Sequence, residues 1–199
     1  MSRFPAITLV MASAALVIHA VPQLQRDCVY DRHLVLAGQW WRLFTAPFVH
    51  FSVSHLCWNL LVLVAAGTTV ELEGYRRFGW VALLSIAVPG VLFLASKPEL
   101  ARYGGLSSVA VGATAYLCLH RAARLDGGRW LWMALFAVLL GKILAESLLA
   151  APLFARSAEV PFMVLPSAHL IGLVVATLLF FTEKHRRWRA KEQPKGLTF

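Results

Sequence analysis

Charge is scarce in this chain of 199 residues: Asp, Glu, Lys and Arg make up 15 %, and hydrophobic residues 59 %. A soluble domain carries about a quarter charged residues. Mean hydropathy is +0.66. That shortage excludes a soluble enzyme, a disordered chain and a free nucleic-acid binder. Acidic residues are scarcer still, 10 against 19 basic, for a net charge of +9. In so apolar a chain the basic excess flanks membrane spans and binds anionic headgroups, so lipid rather than DNA or RNA is its counterpart. Cysteine is sparse too. Cys57 and Cys118 lie in apolar runs and Cys28 stands alone in a loop, which gives neither a disulfide framework nor metal-ligand spacing. No repeat or low-complexity tract is present. What remains is a polytopic membrane protein.

Six apolar stretches follow one another, at 4–21, 53–70, 78–95, 106–119, 130–153 and 162–181. A helix crosses the hydrocarbon core with about 20 residues, and backbone inside lipid must satisfy itself, so each stretch is expected to be a helix. The fourth is short and is expected to borrow Gly104 and Gly105 to reach length. The first is read as a span and not a cleaved signal peptide, because it is near spanning length and no soluble domain follows. Of the 19 basic residues, twelve fall on the side of the N-terminus: Arg3, Arg76, Arg77, Arg121, Arg124, Arg129 and six in the tail from Lys184 to Lys195. Six fall on the other side, and Lys142 lies within a span. The positive-inside rule then puts both termini in the cytoplasm. The fold class expected is an all-α, six-span bundle over 1–183, with a basic cytoplasmic tail at 184–199. The long connection 22–52 carries Trp40, Trp41, Arg42, Phe44, Phe48 and Phe51, a composition suited to the headgroup level.

Polar groups inside membrane helices are expensive and point to function. His55 and Asn59, spaced i, i+4, share one face of the second span. Ser107 follows Gly104, Gly105 and Leu106 at the start of the fourth, and His169 opens the sixth. The topology sets all three span starts on the external side, at similar depth. Ala168, Gly172 and Ala176 form a small-residue stripe, as do Ser108 and Gly112, and such stripes let two helices approach closely. A serine becomes a nucleophile when a neighbouring base accepts its proton, and histidine is the usual base. No Asp is near either histidine in sequence, so a Ser–His dyad is expected. Lys142 and Glu146, i, i+4 in the fifth span, are expected to pair with each other for structural reasons, away from Ser107. His19, His120 and His185 read as interfacial.

The string Trp41-Arg42-Leu43-Phe44-Thr45, then His50-Phe51-Ser52 and His55-Leu56-Cys57-Trp58-Asn59, resembles the second-helix signature of the rhomboid intramembrane serine proteases. Gly105-Leu106-Ser107-Ser108 is similar to their Gly-x-Ser-Gly box, and Ala168-His169 with Gly172 to their histidine helix. The likeness covers roughly 38–180. It implies a six-helix bundle with a water-filled cavity open to the outside, Ser107 as nucleophile and His169 as general base. It also implies oxyanion and substrate contacts from His55, Asn59, Leu106 and Ser108. His50 matches the motif at the entry to the second span, and Glu71 falls where the family has a structural carboxylate. Ser108 replaces the second glycine of the box. Val111 stands where the family usually has a ring packed on the catalytic histidine.

A narrower likeness, in Ala37-Gly38-Gln39-Trp40-Trp41-Arg42, Pro98-Glu99-Leu100-Ala101 and the Lys142/Glu146 pair, is to the rhombosortase branch. That branch is thought to process bacterial proteins bearing Gly-Gly-type C-terminal sorting tails. The expectation is therefore a serine endopeptidase of transmembrane substrates in a bacterial inner membrane, with no cofactor and no metal. The alternative is a catalytically inactive relative that binds membrane helices without cutting. A zinc hydrolase using His50, His55 and His169 is disfavoured, because His50 and His55 are not one turn apart.

Overall fold

A computed structural model describes residues 3–124, 127–149 and 165–192. Helix α1 (Ala6–Ala20) runs into a short α2 (Pro22–Cys28) at a bend of 112°. The two-residue strand β1 (Tyr30–Asp31), α3 (Arg32–Leu36), α4 (Arg42–Thr45) and a 3-10 turn (Ala46–Phe48) complete the first connection. Five long helices and a second short strand follow: α5 (Val53–Glu73), α6 (Phe78–Ser96), β2 (Arg102–Tyr103), α7 (Ser107–Ala122), α8 (Arg129–Leu149) and α9 (Pro166–Glu192).

All six apolar runs contain a long helix, but they do not qualify equally as spans. Among the described residues, four helices, α5, α6, α8 and residues 166–185 of α9, are long and apolar enough to cross a membrane, and the bent α1–α2 pair adds a fifth if it counts as one crossing. Residues 150–153 and 162–164 of the expected runs lie outside the described residues, as do 193–199 of the basic tail. Helix α9 continues past position 183 to Glu192.

The expected extension of the fourth run through Gly104 and Gly105 does not occur. Helix α7 starts at Ser107 and gains its length at the other end, reaching Ala122. Two constraints hold the preceding segment out of a helix. Tyr103 and Arg102 pair antiparallel with Tyr30 and Asp31, and the Gly105 amide donates to the Ala46 carbonyl at 3.3 Å.

Helix α7 is the centre of the bundle. Ser108 to Ala113 and Ala115 to Cys118 are buried without a break, so no face is left for lipid. Small residues make that possible. A Cβ on Gly172 of α9 would lie 2.0 Å from the Ser108 carbonyl oxygen, and one on Gly112 would lie 3.2 Å from the Gly172 carbonyl oxygen. The two backbones are in direct contact, as the paired stripes led us to expect. Helix α8 is the opposite case. Ile143 and Glu146 are its buried side chains among the described residues, and most of its other apolar side chains are exposed.

The end of the bundle away from Ser107 is tied by charge. The Glu71 carboxylate caps α1, accepting from the Ile7 amide at 3.0 Å, the Thr8 amide at 2.8 Å and the Thr8 hydroxyl at 2.6 Å. This satisfies donors that a helix start leaves open. Glu73 pairs with Arg121, and with Arg124 at 2.8 Å. His120, expected at an interface, is instead packed inward. It stacks on Tyr75 with ring centroids 4.1 Å apart and stands 3.7 Å from Glu183.

Arg42 also departs from the headgroup role expected of it. Trp40, Trp41 and Phe44 are exposed, but Arg42 is buried. Its guanidinium donates to the carbonyls of Arg26 and Val29, each at 2.8 Å, and to the Gln39 side chain at 2.7 Å. Five donors on a rigid fork can staple three chain segments at once.

The α7–α9 contact yields a direct test. Gly172→Ala drives a methyl group into the Ser108 carbonyl, and overpacking of this kind costs about 1–3 kcal/mol. Unfolding in detergent micelles should show that loss, whereas Gly141→Ala, at a position with nothing within 4 Å, should not. Equal stability of the two variants would refute the close contact.

Candidate active site

Helix α5 supplies the first two groups. The Ser52 hydroxyl accepts from the His55 amide at 3.1 Å and fixes the first turn. His55 and Asn59 then fall one turn apart, both on the buried face.

The loop before α7 folds over that face. A Cβ on Gly104 would come 2.8 Å from the Val49 carbonyl oxygen. One on Gly105 would come 2.6 and 2.8 Å from Cε1 and Nε2 of His55, and 3.6 Å from Nδ2 of Asn59. Gly105 also has φ +122°, a conformation that side chains disfavour. The His55 ring and the Asn59 amide thus lie directly against backbone two residues before Ser107. Asn59 Nδ2 is buried and has no hydrogen-bond partner among the described residues. Leaving a buried donor unpaired is costly, and a site that awaits an acceptor accounts for it.

His50 holds the loop from the other side. It is fully buried, its Nε2 accepts from the Leu106 amide at 3.3 Å, and its Nδ1 stands 3.2 Å from the Phe48 carbonyl. Both contacts are satisfied by one state only, the neutral ring protonated on Nδ1. Burial, with His55 next to it, pushes the His50 pKa down to about 3. The two rings meet edge to face with centroids 4.9 Å apart. His19, expected to be interfacial, stands with its Nδ1 3.2 Å from the His50 carbonyl.

The Leu106 side chain is buried and its amide is committed to His50. The Ser107 amide is one of the first-turn donors at the head of α7 that have no intrahelical partner. Ser107 itself is half-buried. Ser108 is fully buried, with its hydroxyl packed against Gly172 and unpaired among the described residues. Val111 is buried in the apolar core and brings neither a ring nor a polar atom.

Helix α9 closes the site. His169 is buried one turn before Gly172, on the face that meets α7 at Ser108. Glu71 is remote, at the far end of α5, and caps α1.

One group at the site was not expected there. Glu146 Oε2 lies 2.9 Å from His169 Nδ1, and Lys142 Nζ lies 2.7 Å from the same oxygen. The Lys142/Glu146 pair forms as the spacing predicts, but it does not stand apart from the site. Within the run the acid has a lysine one turn away, so the spacing alone gave no signal of the His169 contact. Among the described residues, no three His, Cys, Asp or Glu side chains gather to hold a metal ion.

The Rhomboid domain matches residues 37–186. The chain is 30% identical over 152 residues to rhomboid protease GlpG of Salmonella paratyphi A, which covers 75% of this chain and 50% of that protein. It is 25% identical over 189 residues to rhomboid protease GlpG of an Enterobacter species, covering 88% of this chain and 62% of that one. To rhomboid protease GluP of Bacillus subtilis it is 33% identical over 92 residues, 45% of this chain and 18% of that protein. The chain therefore spans about half the length of the GlpG relatives and less of GluP. With the Rhomboid domain matched over most of its length, and the three motifs gathered around the head of α7, the chain belongs to the rhomboid family.

Proposed function

We propose that this chain is an intramembrane serine endopeptidase. Its substrates are single-span membrane proteins, cut near the outer face of a bacterial inner membrane. In this reading His169 takes the Ser107 hydroxyl proton as Oγ attacks the scissile carbonyl carbon. The negative charge that develops on the carbonyl oxygen is met by the Ser107 amide, the Asn59 side chain and His55. The C–N bond then breaks, and the imidazolium returns its proton to the leaving amine. Water attacks the acyl-Ser107 and gives a proton to His169, which passes it to the leaving Ser107 Oγ as the carboxylic acid is released.

The observation that carries this reading is the buried, unpaired Asn59 amide, set with His55 against the Gly105 backbone two residues before Ser107. Fixed donors that cost stability in the resting protein are what a developing oxyanion requires. The length of α7 supports a site within the membrane. Its 16 residues span about 24 Å, less than a hydrocarbon core of about 30 Å. With Arg121 and Arg124 holding its C-terminal end at the headgroups, Ser107 stands below the opposite surface.

Six crossings with both termini in the cytoplasm complete the proposal, and that orientation turns Ser107 outward. A sorting tail made of a short Gly-Gly-type motif, one span and a basic end would present its external edge to such a site. Small or helix-breaking residues near the bond help, because an intact helix keeps its carbonyls engaged. This substrate class rests on the rhombosortase-like strings in the sequence.

Labelling of the purified protein with a fluorophosphonate tests the chemistry. Wild type should label, and Ser107→Ala and His169→Ala should each lose the signal by about 10²-fold or more. A folded wild type that never labels would overturn the reading in favour of an inactive helix-binding relative.

His50 gives a pH test with a definite sign. Above about pH 6.5, the ordinary histidine value, the ring is neutral whether folded or unfolded. Between there and about 3, the folded ring refuses a proton that the unfolded chain accepts. Stability should therefore fall as pH falls through this window. His50→Gln should show a shallower decline in the same detergent. Identical slopes for the two proteins would contradict the neutral-ring assignment.

A further inference from the structure

Helix α8 is mostly exposed to its surroundings, and the two side chains it buries among the described residues are Ile143 and Glu146. The two share the one face that enters the bundle, being three residues apart. Adhesion of α8 would be served better by a second aliphatic residue, because a carboxylate in a membrane interior is expensive. Partnering Lys142 alone does not explain the burial. The i, i+4 pair is complete within α8 and could form on a half-exposed face, where Lys142 itself lies. Yet Glu146 is 2 % exposed, and the oxygen that meets Lys142 Nζ at 2.7 Å also meets His169 Nδ1 at 2.9 Å. The second contact crosses from α8 to α9 and ends on the ring read here as the general base.

We propose that Glu146 is the positioning residue for His169, so that the site is a Ser107–His169–Glu146 relay whose acid comes from α8. The inference rests on the protease reading above and deepens it. A carboxylate at Nδ1 selects the tautomer with its proton on Nδ1 and leaves the Nε2 lone pair for the Ser107 hydroxyl. It also stabilises the imidazolium that forms once the serine proton has moved, and the proton on Nδ1 stays on the ring throughout. Lys142 pairs with Glu146 at 2.7 Å and fixes its rotamer. The Nδ1–Oε2 contact is at ion-pair distance but off the N–H axis in the resting protein. Contacts of this kind commonly align only when substrate is bound.

Two measurements test the assignment. The first uses wild type labelled with 15N-histidine, with His169→Gln to identify the signal. In the neutral state the His169 ring should carry its proton on Nδ1, and a ring protonated on Nε2 would overturn the inference without touching the protease reading. The second is steady-state cleavage of a single-span substrate by Glu146→Gln and Glu146→Asp. The Gln variant should lose about 10-fold or more in kcat, below the full effect of a general base, with KM within about twofold. The Asp variant, which keeps the charge, should recover part of that loss. A Glu146→Gln protein that keeps its melting temperature and full kcat refutes the positioning role. Should that variant fail to fold, the tautomer of the wild-type ring decides the question. Failure of Ser107→Ala to abolish cleavage would refute the protease reading itself, whatever Glu146 does.

Discussion

The architecture depends on one contact, that of the Gly172 backbone with the Ser108 carbonyl. In water, two helices are driven together by burial of apolar surface. In lipid that drive is absent, and association rests on how closely two backbones can pack. Here they touch. The consequence for the site is geometric. Ser107 is the neighbour of Ser108, and His169 stands one turn before Gly172. A contact that admits no side chain between the helices therefore fixes the depth of Ser107 and of His169 together. Any residue larger than glycine at 172 would separate them.

The two ends of the bundle use their polar groups in opposite ways. Away from Ser107, three acids have an evident structural task. Glu71 caps α1, Glu73 gathers Arg121 and Arg124, and Glu183 accepts from the Tyr116 hydroxyl at 2.7 Å. Near Ser107 the groups are held but not satisfied. Among the described residues the Asn59 amide lacks an acceptor and the Ser108 hydroxyl is unpaired. Unmet hydrogen-bonding capacity lowers stability. The charge ties and the backbone contact between α7 and α9 allow the bundle to tolerate that loss where chemistry needs free donors.

What could be read from the sequence was whatever depends on spacing within one helix. The six apolar runs, the shared face of His55 and Asn59, the paired small-residue stripes and the Lys142/Glu146 pair are all properties of local periodicity. What escaped depends on partners distant in the chain. The start of α7 is set by β1, some seventy residues upstream, and by the Ala46 carbonyl, so hydropathy alone placed it too early. Arg42 looked like a headgroup residue because its neighbours are aromatic. Only the fold reveals the carbonyls of Arg26 and Val29 waiting for it. Glu146 was hidden by its own pairing, since an acid with a lysine one turn away gives no sign that it has a second partner on another helix.

The position of Val111 gives Glu146 a reason to be where it is. An imidazole acting as a base must be held in both rotation and tautomer. A ring stacked on it can fix rotation, which is the part the resemblance assigns to the aromatic residue usual at that position. Val111 is buried and aliphatic and can neither stack flat nor hydrogen-bond. In the proposed arrangement a carboxylate at Nδ1 does both tasks from the opposite side, and its negative charge favours the imidazolium more directly than a ring face does. The cost is a buried acid on a lipid-facing helix, and Lys142 lowers that cost by pairing within the same turn. With an aliphatic side chain at 111, the orientation of His169 in the proposed site falls to Glu146.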